Sequence, residues 1–368
     1  MAGRVTIQDI ADALGVSRNT VSKAINNTGI LADSTRERIL QKAVEMGYKQ
    51  FSYLSLAGKQ QEPASPQAVI TAPLSAPESS SPAKPGGTIA LFSTMLLGAS
   101  HFSSTMLDKV QNELSTLGYG LVMHRVTQEN LNSMTLPNSF HKEAADAIIC
   151  FEMFNAAYSD MICELDMPVL FVDFPVHTDR GPLKADRLLM DNRSNIYAFV
   201  NEMVRRGKKK IGFIGDHLHC TSFFERYMAL REALVMLNLP FSDRYCILGQ
   251  PCENPSYEDY RAYILKQLDA MKELPDVFIC ANDFVAVDTL QALRKLGVSV
   301  PGDVYLCGFD DSPESHIVTP PLTTIHIHSQ IMGFSAVHLL ISRIRNPELN
   351  YRTIYTETSL IYRESTGD

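Results

Sequence analysis

Apolar residues near the start of the chain recur at the spacing of an α-helix. The first stripe falls at i, i+3, i+4 and i+7 and is formed by Ile7, Ile10, Ala11 and Leu14. This periodicity predicts a helix with one buried face, and Thr6 stands where an N-cap residue would begin it.

A second amphipathic stretch follows after Gly15, a residue suited to a tight turn. Ser17 is placed to cap it, and its apolar face is formed by Val21, Ala24 and Ile25. A third stretch begins near 33–34 and ends at Gly47. The three together predict a helix-turn-helix domain. Any small three-helix domain needs such stripes, so the pattern alone is only moderately specific for DNA binding.

The amino-acid composition of the chain changes at residues 60–87. They contain six prolines among Ser, Ala and Gln and show no apolar period. This composition predicts a flexible linker, because too little apolar surface is available to offset the entropy of ordering.

Short apolar runs alternate with amphipathic stretches from Thr88 onward. Strands are predicted at 88–94, 120–126, 147–151, 169–174, 210–216, 277–283 and 304–311. Helices are predicted at 106–117, 196–206, 225–237, 257–271, 285–296 and 331–344. This alternation predicts parallel sheets covered on both faces, and the length of the segment predicts two lobes. Ligands bind such folds beyond the carboxyl ends of the strands.

The net charge of −8 is unevenly divided along the 368 residues. Residues 1–60 contain eight Lys or Arg and five Asp or Glu, and the remainder contains 25 and 36, so the two parts carry +3 and −11. A basic head on an acidic body predicts DNA contact at one end. No apolar run is long enough to span a membrane and no secretory signal is recognisable, so we expect a cytoplasmic, nucleoid-associated protein.

Enzymatic motifs are missing from the sequence. It contains no P-loop, no GxGxxG after a strand, no GxSxG and no HExxH. Neither the group His217, His219 and Cys220 nor the pair His326 and His328 supplies a full set of metal ligands. We therefore expect no catalytic residue, no cofactor and no metal.

The sequence of residues 5–48 resembles that of the DNA-binding domain of the lactose-repressor (LacI/GalR) family, which typically reads VTIxDVAxxAGVSxxTVSRVLN. Four later segments resemble the family's effector domain in the same order: KKKIGFIGD, RYMALREAL, ANDFVAVDTLQALRKLGVSVPGDVYLCGFDDS and PPLTTIHIHSQIMG. The resemblance implies an all-α helix-turn-helix head and an α/β, two-lobed, periplasmic-binding-protein-like effector domain with two doubly wound parallel sheets.

Domain boundaries follow from the linker and from the family's chain path. We expect the head at 1–50, a degenerate hinge at 51–59 and the linker at 60–87. The N-terminal lobe is expected at 88–192 and 318–350, and the C-terminal lobe at 193–317 and 351–368.

The hinge departs from the family pattern. Members usually continue with YxPNxxARxL, a helix whose leucine enters the minor groove, but this chain reads YKQFSYLSLAG. Leu54 or Leu56 is left as the candidate apolar wedge. Together with the long linker, this departure predicts weaker coupling between effector and DNA than in the relatives.

Family position assigns the DNA contacts to the second helix. Arg18, Asn19 and Lys23 are the expected base readers. Backbone contacts are expected from Thr6, Ser17, Thr20, Ser22 and Asn26. A single head offers few contacts, so we expect a homodimer on a near-palindromic operator, joined through the effector lobes around helix 106–117.

The resemblance also implies the effector site. Asp283 is expected to accept hydrogen bonds from ligand hydroxyls, Arg226 to donate to the ligand and Phe102 to pack on its ring. Cleft positions are further expected for Ser93, Asp173, Asn192 and Ser222. An N-cap at Asp283, a solvated Arg226 and a core Phe102 are the competing interpretations. A sugar is the favoured ligand, while a purine or another small metabolite stays open.

These expectations define the predicted function: a transcriptional regulator, most often a repressor in this family, whose operator affinity is modulated by a small metabolite. Two alternatives remain at this point. One is a metabolite-binding module with weakened DNA coupling, and the other is a doubly wound enzyme that carries a DNA-binding head.

Overall fold

The structure is a computed structural model. It describes residues 5–25, 35, 38–39, 42–43, 45–46, 48, 87–94, 101–176, 181–252 and 255–368. Of residues 25 and 101–103 it describes the backbone alone. The predictions for the hinge at 51–59 and for the linker up to residue 86 therefore lie outside the described residues.

The head begins with α1 (Ile7–Leu14) and α2 (Arg18–Ile25). Thr6 caps α1 through a capping box with Asp9, whose carboxylate accepts from the Thr6 backbone N–H at 2.7 Å. Gly15 ends α1 at φ 65°, a left-handed conformation that favours glycine. The Ser17 hydroxyl accepts from the Thr20 N–H at 3.0 Å at the start of α2. The predicted caps and turn are confirmed.

Apolar side chains from both helices meet in a buried core. Fully or almost fully buried members are Ile10, Ala11, Val21, Ala24, Ile39 and Ala43. The same buried cluster includes Ile331 and Phe334 of the body, so the apolar core of the head continues into the N-terminal lobe.

The N-terminal lobe is built on six parallel strands. They are β1 (Thr88–Ser93), β2 (Gly120–Arg125), β3 (Ala147–Phe151), β4 (Val169–Val172), β5 (Asp186–Met190) and β10 (Thr353–Thr356), in the order β10-β5-β4-β3-β1-β2. The helices are α3 (His101–Thr116), α4 (Gln128–Ser133), α5 (Ala156–Cys163) and α11 (Ser329–Arg345). Leu91 and Ile149 face one core, whereas Ala90 and Ile148 face the opposite core, because alternate strand residues point to opposite faces.

The C-terminal lobe holds a second, smaller parallel sheet. Its strands are β6 (Ile211–Ile214), β7 (Val277–Cys280) and β8 (Tyr305–Cys307), in that order. The helices are α6 (Ser194–Arg205), α7 (Thr221–Met236), α8 (Tyr257–Asp269), α9 (Asp283–Lys295) and α10 (Pro313–Ile317). All seven predicted strands are present, and the two doubly wound lobes are confirmed.

Two of the predicted lobe boundaries are wrong. β10 pairs with β5, so 353–356 belongs to the N-terminal sheet and not to the C-terminal lobe. A further strand, β9 (Thr324–Ile327), pairs with β11 (Thr358–Ile361) and continues beside the C-terminal lobe, where Thr323 bridges to Cys307. The chain therefore re-enters the N-terminal lobe near 328 and leaves it near 357. The predicted crossings came from the family's chain path, and the sequence could not correct them because short strands do not encode their pairing partners.

Candidate functional site

The outward face of α2 carries the side chains expected to read DNA. Arg18 and Asn19 are exposed, and Lys23 is half-buried. This face is available because Val21 and Ala24 of the same helix point into the core of the head. The arrangement leaves a guanidinium and a carboxamide facing outward from a helix of the right size for a major groove.

The expected backbone contacts surround this face. Ser17 and Thr6 are exposed, and Thr20 and Ser22 are half-buried. The hydroxyls of Thr6 and Ser17 already accept from backbone N–H groups as helix caps. Asn26, Leu54 and Leu56 lie outside the described residues.

Arg226 lies where the two lobes meet, at the position expected for the floor of the ligand cleft. It lies on α7, is 2 % exposed, and donates from Nε to Asn192 Oδ1 at 2.9 Å and from Nη1 to the Ala281 carbonyl at 2.6 Å. Its guanidinium carbon lies 3.4 Å from the ring centre of Phe309. Burial lowers the pKa of Arg226, but these acceptors and the aromatic face stabilise its charge. The solvated interpretation of Arg226 is wrong.

Three other predicted residues converge on the same place. The Asn192 amide donates to Ser222 Oγ at 3.3 Å, and the Ser222 N–H donates to Asp173 Oδ1 at 3.3 Å. Asp173 follows β4 in a left-handed conformation with φ 54°, which turns its carboxyl toward α7. Burial raises the pKa of Asp173. The structure thus brings Asp173, Asn192, Ser222 and Arg226 together at the strand ends.

Asp310 completes this group, although the sequence analysis did not select it. It follows β8, and its Oδ1 lies 3.7 Å from Arg226 Nη1. Burial, opposed by Arg226 and reinforced by neighbouring carboxylates, raises the pKa of Asp310 to about 8. A signal for it existed in the sequence: the GFDD segment places two carboxyl groups at the carboxyl end of a predicted strand.

Asp283, the carboxylate expected to contact the ligand, joins separate segments of the chain, and its contact with a ligand stays a prediction. It has no exposed surface, and its two oxygens accept from Thr324 Oγ1 and from the Ser312 N–H, both at 2.7 Å. A Cβ at Gly308 would lie 2.0 Å from Asp283 Oδ1, so glycine is required beside it. The N-cap of α9 is Asn282. Asp283 therefore fastens β9 and α10 to the start of α9, behind the cleft.

Three aromatic side chains form a group near Arg226. The rings of Phe154 and His219 lie 4.8 Å apart, and those of His219 and Phe223 lie 5.4 Å apart. His219 is exposed, yet desolvation by its surroundings lowers its pKa, as expected for a side chain that lines a cleft. Phe154 comes from the N-terminal lobe and the other two from the C-terminal lobe, so the three rings bridge the cleft.

The last two predicted positions lie on the N-terminal side. Ser93 ends β1, is 1 % exposed, and pairs in register with Phe151 of β3, which places it at the carboxyl edge of the sheet. The backbone of Phe102 lies in the first turn of α3, but its side chain lies outside the described residues. Its stacking role therefore stays a prediction.

Among the described residues, no group of three or more His, Cys, Asp or Glu side chains is arranged to hold a metal ion. No helix within the described ranges is both long and apolar enough to cross a membrane.

Family models match both parts of the chain. Residues 6–50 match the model of bacterial regulatory proteins of the lacI family, and residues 200–366 match a periplasmic binding protein-like domain. The two matches correspond to the head and to most of the C-terminal part of the effector domain.

Similar proteins span the chain almost completely. The HTH-type transcriptional repressor PurR of Actinobacillus pleuropneumoniae serotype 3 (strain JL03) is 27% identical over 364 residues, covering 98% of each chain. The ribose operon repressor of Haemophilus influenzae (strain ATCC 51907 / DSM 11121 / KW20 / Rd) is 25% identical over 362 residues, again covering 98% of each.

Solved structures with the same fold include a CelR–cellobiose complex, with a TM-score of 0.64, 21% identity and coverage of 98% of this chain and 100% of that one. A lac repressor dimer bound to operator and the anti-inducer ONPF gives a TM-score of 0.62, 19% identity and 99% coverage of both chains.

The PurR and ribose operon relatives are repressors, which removes the enzyme alternative. The helix-turn-helix head, the two-lobed body and the polar floor between the lobes agree with these matches. The chain belongs to the lacI family of bacterial regulatory proteins, as a DNA-binding transcriptional regulator with a small-molecule effector domain.

Proposed function

We propose that this protein is a repressor whose operator affinity is set by a small neutral sugar bound between its lobes. The observation that carries this proposal is the buried Arg226 guanidinium, flanked by Asn192 and Asp310 at the ends of strands from both lobes. A guanidinium donates to ring and hydroxyl oxygens, and carboxylates accept from hydroxyls, so the floor suits a polyol.

The charge of the floor favours a neutral ligand over a phosphorylated one. The Asp310 carboxyl lies 3.7 Å from the Arg226 guanidinium, and the Asp173 carboxyl accepts from the neighbouring Ser222 N–H, so carboxyl groups already balance the charge of Arg226. A phosphate placed beside them would meet repulsion in a poorly solvated cleft. A neutral sugar meets no such penalty.

A neutral nitrogen heterocycle is the second candidate ligand. The rings of Phe154, His219 and Phe223 offer flat surfaces on which a planar base can stack, and PurR proteins are among the relatives. The aromatic groups also suit the apolar face of a sugar ring, so they do not separate the two ligand classes.

The proposed DNA complex is a homodimer on a near-palindromic operator. One head presents few base contacts, and a two-fold dimer doubles them. The exposed Val122 and Met123 on the edge strand β2 lie beside α3, the expected dimer helix, and an apolar edge of this kind is suited to a subunit contact.

A thermal-shift screen tests the ligand. Ribose, cellobiose, hypoxanthine, guanine and ribose 5-phosphate are added to the full-length protein and to an Arg226→Lys variant. We expect a neutral compound to raise the melting temperature of the wild type alone. A rise given only by the phosphorylated sugar would contradict the neutral-ligand proposal.

A gel-shift experiment tests the DNA partner. Duplexes from upstream of the protein's own gene and of neighbouring genes are titrated at two salt concentrations. We expect salt-dependent, sequence-selective binding. Equal, weak binding to every duplex would favour the alternative of a metabolite-binding module with weakened DNA coupling.

A further inference from the structure

A chain of hydrogen bonds leads from Arg226 to the segments where the backbone crosses between the lobes. Asn192 follows β5 and opens the first crossing. Its Oδ1 accepts from Arg226 Nε at 2.9 Å, and its Nδ2 donates to Glu225 Oε2 at 2.9 Å and to Ser222 Oγ at 3.3 Å. A primary amide accepts at one end and donates at the other, so these partners fix its orientation.

Glu225 extends the chain to another crossing. Its Oε1 accepts from the Tyr355 hydroxyl at 2.9 Å, and the residue is 8 % exposed. Tyr355 lies on β10, next to β5 in the N-terminal sheet and just before the chain leaves for β11. One carboxylate on α7 of the C-terminal lobe therefore holds Asn192, just after β5, and Tyr355 on the adjacent strand β10.

A nearby guanidinium stabilises the negative charge of Glu225. Arg193 Nε lies 3.9 Å from Glu225 Oε1, and Arg193 also pairs with Glu232 at 2.7 Å. A buried carboxylate with two neutral donors and a nearby guanidinium is held more firmly than an exposed one, because few waters compete for its oxygens.

We propose that Glu225 is a positioning residue for the effector site. It turns the Asn192 amide so that Oδ1 faces Arg226, which fixes the guanidinium in its binding orientation, and through Tyr355 it couples that orientation to the angle between the lobes. A change in this angle moves Asn192 and Tyr355 relative to Glu225, and the guanidinium follows. The inference rests on the proposed role of Arg226 as a ligand contact.

The competing interpretation gives Glu225 no influence on Arg226. In that case the carboxylate only satisfies the buried Asn192 amide and the Tyr355 hydroxyl, and replacing it lowers the melting temperature without disturbing the guanidinium. The two interpretations differ in the behaviour of the Arg226 Nε–H, which donates to Asn192 and not to Glu225.

The test measures hydrogen exchange at the Arg226 Nε–H by NMR of ligand-free, full-length protein labelled with ¹⁵N-arginine, assigned with Arg226→Lys. In Glu225→Leu both acceptor oxygens are lost, so the Asn192 Nδ2 donor loses its partner on Glu225, and we expect exchange about tenfold faster or more. Tyr355→Phe, which keeps the ring, is expected to accelerate exchange by about threefold. Tyr351→Phe, a neighbouring tyrosine whose ring lies 5.0 Å from Arg343, is the matched control and should change nothing.

A reciprocal exchange of groups provides the decisive variant. Glu225→Gln combined with Asn192→Asp restores a donor–acceptor pair and the original net charge, and the new carboxylate can still accept from Arg226. We expect slow exchange to return. If Glu225→Leu leaves the Arg226 exchange rate within about twofold of wild type, or if the double variant fails to show slow exchange while melting normally, the proposal is overturned.

Failure of this proposal is distinguishable from failure of the proposed function, because the exchange measurement needs no ligand. If Glu225→Leu does not fold, the Tyr355→Phe rate decides: no acceleration relative to Tyr351→Phe contradicts the coupling.

Discussion

Asp310 and Arg226 show how single residues set the chemistry of the cleft. The Asp310 carboxyl lies near the guanidinium, but burial and three further carboxyls outweigh that attraction and raise its pKa to about 8. At neutral pH this group therefore holds a proton more readily than an ordinary aspartate. A protonated carboxyl both donates and accepts, which broadens the hydrogen bonds it offers to a hydroxylated ligand.

This raised pKa predicts a pH dependence of stability. The ordinary pKa of an aspartate is 3.8, and the pKa of Asp310 in the folded protein is about 8. Between these two pH values the folded protein keeps a proton on Asp310 that the unfolded chain loses. The free energy of unfolding should therefore fall as pH rises through this window, by at most about 1.4 kcal/mol per pH unit for this group, and level off above it.

Urea denaturation at pH 6.5, 7.25 and 8 measures the slope. Asp310→Asn should flatten it, because the variant has no proton to lose. Asp269→Asn, at the exposed end of α8, removes a similar charge and should leave it unchanged. An unchanged slope in Asp310→Asn would show that the proton resides elsewhere.

In the head, Arg18 is expected to recognise a base of the operator. Arg18→Ala should weaken operator binding by about 1–3 kcal/mol and relax the preference at one base pair, because a bidentate contact to guanine is lost. Anisotropy titrations on single-base variants of the operator measure this. Arg38→Ala, an exposed arginine of the same head outside α2, is the control and should not alter base preference. Equal loss on every sequence would make Arg18 a phosphate contact.

At the scale of elements, one buried ion cluster holds the N-terminal sheet to its helix. Asp186 on β5 has no exposed surface and accepts from Arg343 of α11 at 3.0 Å and from Arg352 before β10 at 2.9 Å. These bonds lower the pKa of Asp186 against the effect of burial. The cluster joins the start of β5, the end of α11 and the edge strand, which are distant in sequence.

Breaking this cluster should be costly. Asp186→Ala leaves two arginines without their shared carboxylate and is expected to lower the free energy of unfolding by about 3–5 kcal/mol. Lys184→Ala, two residues earlier, breaks an exposed pair with Glu164 whose side chains are 65 and 69% exposed, and should cost less than about 1 kcal/mol. Chemical denaturation compares the two variants, and equal costs would contradict the structural role of Asp186.

At the scale of the molecule, lobe movement must reach the head to regulate DNA binding. The residues from 51 to 86 that connect them depart from the family's short hinge and are rich in proline and serine. A loose tether transmits little strain, so we expect this connection to couple lobe movement to the head more weakly than a short, rigid hinge would. The apolar contact of the head with Ile331 and Phe334 is the other route between them.

Operator affinity measured with and without the ligand found by the thermal screen tests this expectation. The ratio should stay below about a hundredfold. Deleting residues 63–85 should raise this ratio of operator affinities, because a shorter connection restricts the movement of the head. A ratio above about a hundredfold in the intact chain would show that the long connection preserves full coupling.

The sequence by itself determined the helix-turn-helix head, the alternation of strands and helices, and the family. These features depend on local periodicity and on caps such as Thr6 and Ser17, which short segments encode. It also selected Arg226, Asn192, Ser222 and Asp173, which the structure brings together.

Tertiary structure alone decided which carboxylate pairs with Arg226 and where the chain crosses between the lobes. Asp283 and Asp310 both follow strands, and only the donors around Asp283 show that its oxygens are occupied. The partners of β9 and β10 come from strands far away in sequence, and a four-residue strand carries too little pattern to specify them.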